Sequence, residues 1–549
     1  MQEVHHLFYE TLLPRIESAT ATINESLSAY KPLELIVMTL VTLACLRYLH
    51  AKYTYVRKTG VIVIIFRFLT RLPYLKQIKE KERDKAMKES EEHLRHSRAS
   101  GDTVAKLPEV GLSEDAIKKR VELGELQTKK IHQVMHCSGT VYCGDEKHWD
   151  FVSDVMRRFI TSNPLHIDEF AMVGQMEAEV IRIIANLYRG DAKTCGLISS
   201  GGTESILLAC LAYREKARQE RGVTKPNMVM SNSAHAAFDK ACFYFNIEMR
   251  KVPVTKDCSC DLKAMRAQID SNTIMLVASN PDFAFGNYDP TPNIAALAKK
   301  WGIGCHSDCC LGGFINPFIE ESGYKIPTQY DFSVDGVTTI SVDPHKYAMG
   351  PKGVSCLLFK DAELRQYQMF AVSCWNGGFY STPSIAGSRP GNVVAATWAT
   401  LMKFGREGYV RSTKEILDSA AGLRKAIREE MPEVQLASNS DSSVVAIVQR
   451  PEKGSINPIA LTDLLKKRDW WLSAIQKPSG CHISLTRATA KDWRSLAQNL
   501  KECIAMVKVD PSLNSKSTAA TYGMTAKIPD SSLVDDIVKG YIGSVLDVL

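Results

Sequence analysis

The fifteen cysteines of this 549-residue chain include no C-x-x-C pair, and the closest neighbours, Cys258 with Cys260 and Cys309 with Cys310, lack the spacing of a zinc site. Scattered singly, they exclude a disulfide scaffold and fit a reducing compartment, read as small buried apolar residues, and offer no metal ligand set. The Gly-rich turn SSGGTES, Ser199 to Ser205, has neither the lysine of a Walker A loop nor the spacing of a dinucleotide fingerprint, so any phosphate it holds belongs to another cofactor. Excess charge of one sign is also scarce once located. The net +7 is concentrated between Arg47 and Arg98, where fourteen Lys and Arg face six Asp and Glu; the remainder is close to neutral. That basic segment adjoins an apolar run, which favours an anionic membrane surface over a nucleic acid as partner. With 45% hydrophobic and 23% charged residues, wholesale disorder is excluded, and the length calls for two or three folded units.

The apolar run is LELIVMTLVTLACLRYL, Leu33 to Leu49, with Glu34 and Arg47 near its ends. A bilayer core takes about 20 helical residues, with a range of ~17–25, so the run is at the short limit, and both charges sit where they can snorkel. No small-x-small cleavage site follows it, so a retained anchor is favoured over a signal peptide; a buried helix or dimer contact is the bland alternative. Arg15 and Lys31 face five glutamates up to Glu34 before the run, whereas Arg47, Lys52, Arg57 and Lys58 follow it, which orients the long C-terminal part toward the cytosol. The sequon Asn24-Glu25-Ser26 agrees with that orientation. A second run from Val61, cut by Arg67 and Arg71, reads as an interfacial helix. The expected organisation is a non-cytosolic tail (1–32), an anchor (33–50), a basic juxtamembrane and charged linker (51–105), a large domain (106–410) and a small C-terminal domain (411–549).

Beyond residue 105, short apolar runs ending in polar turns alternate with helical patterns: CGLIS before GGTES, TIMLVAS before NPDFAFG, IGCHSD before CCLGGF, and GVTTISV before DPHKY. This predicts an α/β domain around a mostly parallel sheet. Ligands in such sheets bind beyond the carboxyl ends of the strands, which selects Ser199 to Thr203, Asn280 and Pro281, Asp308, and Asp343 to Lys346. After about Arg411 the pattern changes to a smaller α+β unit, and the tail from Met524 is helical in period, with no retrieval signal at its end.

A lone lysine such as Lys346, beside His345, is ordinarily surface decoration. Its companions alter that reading. Asp308 can pair with a protonated pyridine nitrogen, His235 in SAHAAF can stack on a flat ring, and Gly202 with Thr203 at a helix start can cradle a phosphate. An aldehyde cofactor with a ring nitrogen and a phosphate is pyridoxal phosphate, held as a Schiff base by Lys346. A second lysine, Lys352, lies one turn further on as a fixed charge for a phosphate or a proton-transfer partner.

Taken together, SGGTES, SAHAAF, D-x-CLGGF, HKY with PKG, and GSRPG resemble the sphingosine-1-phosphate lyases, pyridoxal-phosphate enzymes of the aspartate aminotransferase fold (fold type I). The resemblance runs from about Cys137 into the C-terminal domain. It implies Lys346 as the Schiff-base lysine, Asp308 on the pyridine nitrogen, His235 against the ring, and Gly202, Thr203 and His345 in cofactor binding. It further implies His166 and Lys352 on the substrate phosphate, Tyr142 and Tyr380 near the reacting carbons, and a homodimer with shared sites. The implied reaction is retro-aldol cleavage of the C2–C3 bond of a phosphorylated sphingoid base to a long-chain aldehyde and phosphoethanolamine, by an enzyme of the endoplasmic reticulum membrane with its catalytic body in the cytosol. Three positions depart from the family pattern: Pro344 stands where Thr is usual, Met349 where Tyr is, and Cys309 where Ala is. Pro344 also occurs in decarboxylase-like motifs, so a pyridoxal-phosphate amino-acid decarboxylase is the nearest alternative, and a catalytically silent membrane-anchored scaffold is an alternative of another class.

Overall fold

A computed structural model describes residues 106–133, 136–452, 455–515 and 532–546, with five helical positions between 77 and 88. The expected anchor, the sequon and the Val61 segment lie outside the described residues. Among the described residues no helix is long and apolar enough to cross a membrane.

The chain divides into two units, of which Leu112–Gly523 carries the sheets. In the other, helix Ser532–Leu546 exposes Val538, Ile542 and Leu546 at helical spacing. The large sheet has seven strands: β1 (Cys195–Ser199), β2 (Asn227–Ser231), β3 (Glu248–Val252), β4 (Thr273–Ser279), β5 (Gly304–Cys309), β6 (Thr339–Val342) and β7 (Ser355–Phe359). Their spatial order is β1-β7-β6-β5-β4-β2-β3, with every neighbouring pair parallel except those made by β7. The mostly parallel sheet expected from the alternating pattern is therefore present.

Strands covered on both faces need apolar residues at both parities, and these have them. Val229 packs into a cluster with Val180 and Ile184 of α1 (Ala171–Leu187), whereas Met228 and Met230 pack with Ile206 and Leu208 of α2 (Gly202–Arg221) and Phe238 of α3 (Ala237–Phe245). The first face is also covered by Ile294 and Ala298 of α4 (Thr291–Trp301). Each such side chain contributes about 1.5–3 kcal/mol when fully buried. Only the edge strand β3 is largely exposed.

After β7 the chain forms a hairpin, β8 (Phe370–Trp375) and β9 (Gly378–Thr382), and then α5 (Gly391–Glu430). Gly405, at φ 55 and ψ −176, breaks the helical path inside α5, a conformation that a Cβ would strain. A four-stranded antiparallel sheet follows: β10 (Gln435–Leu436), β11 (Val444–Val448), β12 (Ser473–Ile475) and β13 (Gly480–Ser484), in the order β10-β11-β13-β12. It is closed by α6 (Trp493–Val509), whose Leu496, Leu500 and Ile504 face the core.

One glycine controls how α2 meets the sheet. A Cβ on Gly304, at the start of β5, would lie 2.1 Å from the Tyr213 ring, and that ring is pinned because its hydroxyl bonds Thr338 Oγ1 (2.6 Å) and Thr339 Oγ1 (2.7 Å). Neither partner can yield without losing buried hydrogen bonds. Gly304→Ala is therefore expected to lower stability by about 1–3 kcal/mol. Urea denaturation of the full chain against wild type measures it.

Candidate active site

The loop after β6 carries the lysine. Asp343 C=O accepts from Lys346 N–H (3.1 Å), Lys346 C=O from Met349 N–H (3.0 Å) and Pro344 C=O from Gly350 N–H (3.1 Å), so the segment folds on itself. Surrounding elements then bolt it in place. His148 Nε2 is 2.8 Å from Met349 O, the Tyr409 hydroxyl donates to Ala348 O (3.0 Å), and the Tyr347 hydroxyl donates to Leu485 O (3.0 Å) and shares a hydrogen bond with Ser443 Oγ (2.7 Å). Met349 takes φ +61 here, an uncommon value for a residue with a side chain.

Within this frame Lys346 Nζ lies 2.9 Å from Asp343 Oδ2, whose side chain is 2% exposed. Burial alone would pull the lysine down, but the Asp343 carboxylate outweighs it and holds the ammonium above its ordinary value. Burial likewise pushes the acid up, and chiefly the charge of Lys346 brings it below the usual carboxylate range. His345 sits with Nε2 3.7 Å from Asp343 Oδ2 and Nδ1 on the Val354 carbonyl, and burial lowers its ring toward the neutral form.

Asp308, near the end of β5, is oriented from beneath. Its Oδ1 accepts from Cys310 N–H (3.0 Å) and from Ser341 Oγ (3.1 Å); Ser341 in turn meets His306 Nε2 (3.1 Å), and His306 Nδ1 meets Thr339 Oγ1 (2.8 Å). Burial lowers His306 to about 4, so its ring is neutral, and the network assigns its proton to Nε2. The register explains the row: His306 pairs Thr339 and Asp308 pairs Ser341, so alternate residues of two neighbouring strands share one face.

A pocket of about 380 Å³ is lined by Gly202, Thr203, His235, Cys310, His345 and Lys346 among others. Its floor is the first turn of α2. A Cβ on Gly202 would lie 2.6 Å from Asp343 Oδ2 and 2.8 Å from Cys310 Sγ, so this glycine lets the carboxylate and the helix start meet. Glu204 reaches back to Ser200 N–H (2.8 Å) and accepts from Ile385 N–H (3.1 Å), tying the turn to the segment that contains GSRPG. His235 is exposed on the pocket wall; its Nδ1 accepts from Ala237 N–H (3.1 Å), and Phe283 stands edge-on to it at 6.4 Å.

Lys352 and Tyr142 form the next group. Lys352 Nζ is 4.8 Å from the centre of the Tyr142 ring. Burial, then the charge of Lys346, lower the Lys352 ammonium, with Asp343 opposing; burial pushes the Tyr142 phenol well above its usual value. His166 and Tyr380 have other neighbours: His166 bonds Asn163 and Phe170 through the backbone, and the Tyr380 ring meets Phe370 and Trp375. Among the described residues no hydrogen bond or ring contact joins either to Lys346 or Lys352. Both flank the GSRPG segment: Asn163, three residues before His166, bonds Ser388 Oγ (3.1 Å) and Arg389 N–H (3.0 Å), and a Cβ on Gly387 would lie 2.7 Å from the Tyr380 hydroxyl.

The model of the Pyridoxal-dependent decarboxylase conserved domain matches residues 125–450. The chain is 35% identical to a sphingosine-1-phosphate lyase of Arabidopsis thaliana, over 98% of this chain and 99% of that one. The chain belongs to the sphingosine-1-phosphate lyase family. Among solved structures, a family member from Burkholderia pseudomallei superposes with a TM-score of 0.71 at 33% identity, over 76% of this chain and 96% of that one. A glutamate decarboxylase of Lactobacillus brevis, at 19% identity and a TM-score of 0.63 over 77% of this chain and 97% of that one, shares the fold.

Pyridoxal phosphate is the family's cofactor, and the residues fit it. The first turn of α2 brings its N–H groups to the pocket, where a helix N-terminus can receive a phosphate, Lys346 lines the same pocket, and Asp308 stands at the carboxyl edge of the neighbouring strand. When bound, the cofactor supplies an aldehyde for the lysine and a ring that accepts an electron pair from a breaking bond. The site residues that sequence reasoning missed are Asp343 as the partner of Lys346, and the His306–Ser341 row. A D-x-x-K spacing in a tight turn was the available signal for the first; the second needed the strand register.

Gly202→Ala should weaken pyridoxal phosphate binding about tenfold or more, or ~1.4 kcal/mol, with an unchanged circular dichroism spectrum. Fluorescence titration of the apoprotein reads the affinity.

Proposed function

We propose that the protein cleaves the C2–C3 bond of sphingosine 1-phosphate and related phosphorylated sphingoid bases to a long-chain aldehyde and phosphoethanolamine, in sphingolipid degradation. The observation that carries this reading is the pair of lysines on one loop: Lys346 in the pocket against Asp343, and Lys352 over Tyr142. The name of the Arabidopsis relative, matched over nearly the whole chain, supports the substrate class.

Each residue then has a role of its own. Lys346 carries the cofactor, Asp308 holds the proton on the ring nitrogen, His235 covers the ring, and Gly202, Thr203 and His345 receive the phosphate. The substrate phosphate needs a cation near the mouth, which Lys352 supplies; the Tyr142 phenol, kept neutral by burial, can hold or pass a proton beside C3. A decarboxylase would need a cation for a substrate carboxylate and has no comparable use for Lys352.

His166 and Tyr380 complete the site from a second copy of the chain in this reading. The exposed Phe370, Trp375 and Phe379 of the hairpin, apolar side chains suited to an interface, support it. The apolar run at 33–50 and the basic stretch after it support an anchor in the endoplasmic reticulum membrane with the catalytic unit facing the cytosol, where a single-tailed phospholipid is concentrated.

The test follows fatty aldehyde and phosphoethanolamine together by mass spectrometry from a sphingoid-base phosphate. Wild type is expected to form both, one for one, and Lys346→Ala neither. Carbon dioxide from an amino acid, with neither product from the lipid, would assign a decarboxylase. Lys352→Ala should keep the cofactor yet lose about 10²–10⁴-fold in turnover; equal loss of cofactor in both variants would remove the division of roles.

A further inference from the structure

We infer that Asp343 is a positioning residue that keeps the proton on Lys346 Nζ, both before and after that nitrogen takes the cofactor. The inference rests on the reading of Lys346 as the cofactor lysine given above, and it is independent of the substrate.

The geometry has three parts. Asp343 Oδ2 is 2.9 Å from Lys346 Nζ. Asp343 Oδ1 is buried with no hydrogen-bond partner among the described residues. Both oxygens lie directly under Gly202, where an added Cβ would stand 2.6 and 2.9 Å from them, at the first turn of the twenty-residue helix α2. A buried carboxylate with one unsatisfied oxygen is costly, and here a lysine and a helix N-terminus are the groups that keep it charged.

The other groups facing this pair do not supply the same effect. On the same loop, His345 is drawn to its neutral form, and Lys352 is a cation that disfavours a proton on Lys346. From the segment after β5, the Cys310 thiol is pushed far up by burial, and from the segment before α1 so is the Tyr142 phenol; both stay neutral. Tyr347 points its hydroxyl to Ser443 and Leu485, and the Ser355 hydroxyl of β7 donates to Val342 O (3.1 Å). Asp308 lies beyond Cys310, with its Oδ1 taken by Cys310 N–H and Ser341. Asp343 is thus the anion in contact with Lys346, and an opposite charge in contact favours the protonated nitrogen.

The decisive experiment is a pH titration of the absorption of bound pyridoxal phosphate, without substrate, in the full-length wild type, Asp343→Asn and Asp343→Glu. The midpoint at which the cofactor-bearing nitrogen loses its proton is expected to fall by about one pH unit or more in Asp343→Asn and to stay within a few tenths in Asp343→Glu. A midpoint in Asp343→Asn within about 0.3 unit of wild type overturns the inference. If Asp343→Asn does not load the cofactor, loading by Asp343→Glu supports the need for charge, and failure of both in folded protein overturns it. A shifted midpoint in a protein that forms no aldehyde would leave the role of Asp343 intact and remove only the lipid substrate; aldehyde formation with an unmoved midpoint would do the reverse.

Discussion

The structure turns on an ion pair at the carboxyl edge of a mostly parallel sheet, the half-buried Lys346 against the buried Asp343. Removing two charges from water costs several kcal/mol per ion, and such a pair persists only where its geometry is fixed and its remaining polar atoms are supported. The loop after β6 meets that demand through its own turn hydrogen bonds, through His148 and Tyr409, which reach it from two other parts of the fold, and through its own Tyr347, which reaches out to the small domain. The small domain is therefore part of the lysine's support: Tyr347 ends on Ser443 and Leu485, side by side at one end of the antiparallel pair β11 and β13.

The same edge explains why chemistry collects there. Parallel strands put Ser199, Ser279, Asp308 and Val342 at one rim, and the helix α2 begins at that rim with its N–H groups open. A phosphate on the helix start, an acid on the floor and a lysine between them can grip the two ends of one flat cofactor. Beneath the acid, the row Tyr213, Thr339, His306, Ser341 crosses the width of the strands and leaves Asp308 little freedom to turn. A neutral His306 steadies that row without adding a charge that would compete for the acid.

Much of this was legible in the sequence. The strands ending at Ser199, Ser279 and Val342 were marked by apolar runs meeting polar turns, and the rule of carboxyl ends located Gly202, Asp308 and Lys346 before any coordinates. What escaped depended on long-range pairing. The reversed direction of β7 has no trace in SCLLF, whose residues are buried on both faces whichever way the strand runs. The hairpin of β8 and β9 has exposed side chains at successive positions and so no alternation to read. His306 looked like any core histidine until the register placed it across from Thr339 and beside Ser341. His166 and Tyr380 were recognisable only through the family's motifs, since nothing local in SNPLH or GGFY announces a site.

The central claim is that the loop after β6 presents Lys346, and not its neighbour Lys352, to the cofactor. Borohydride reduction of the full-length protein loaded with pyridoxal phosphate, followed by peptide mass mapping, tests it directly. The account predicts a pyridoxyl label on Lys346 with Lys352 unmodified; a label carried mainly by Lys352, or spread over surface lysines, would contradict it.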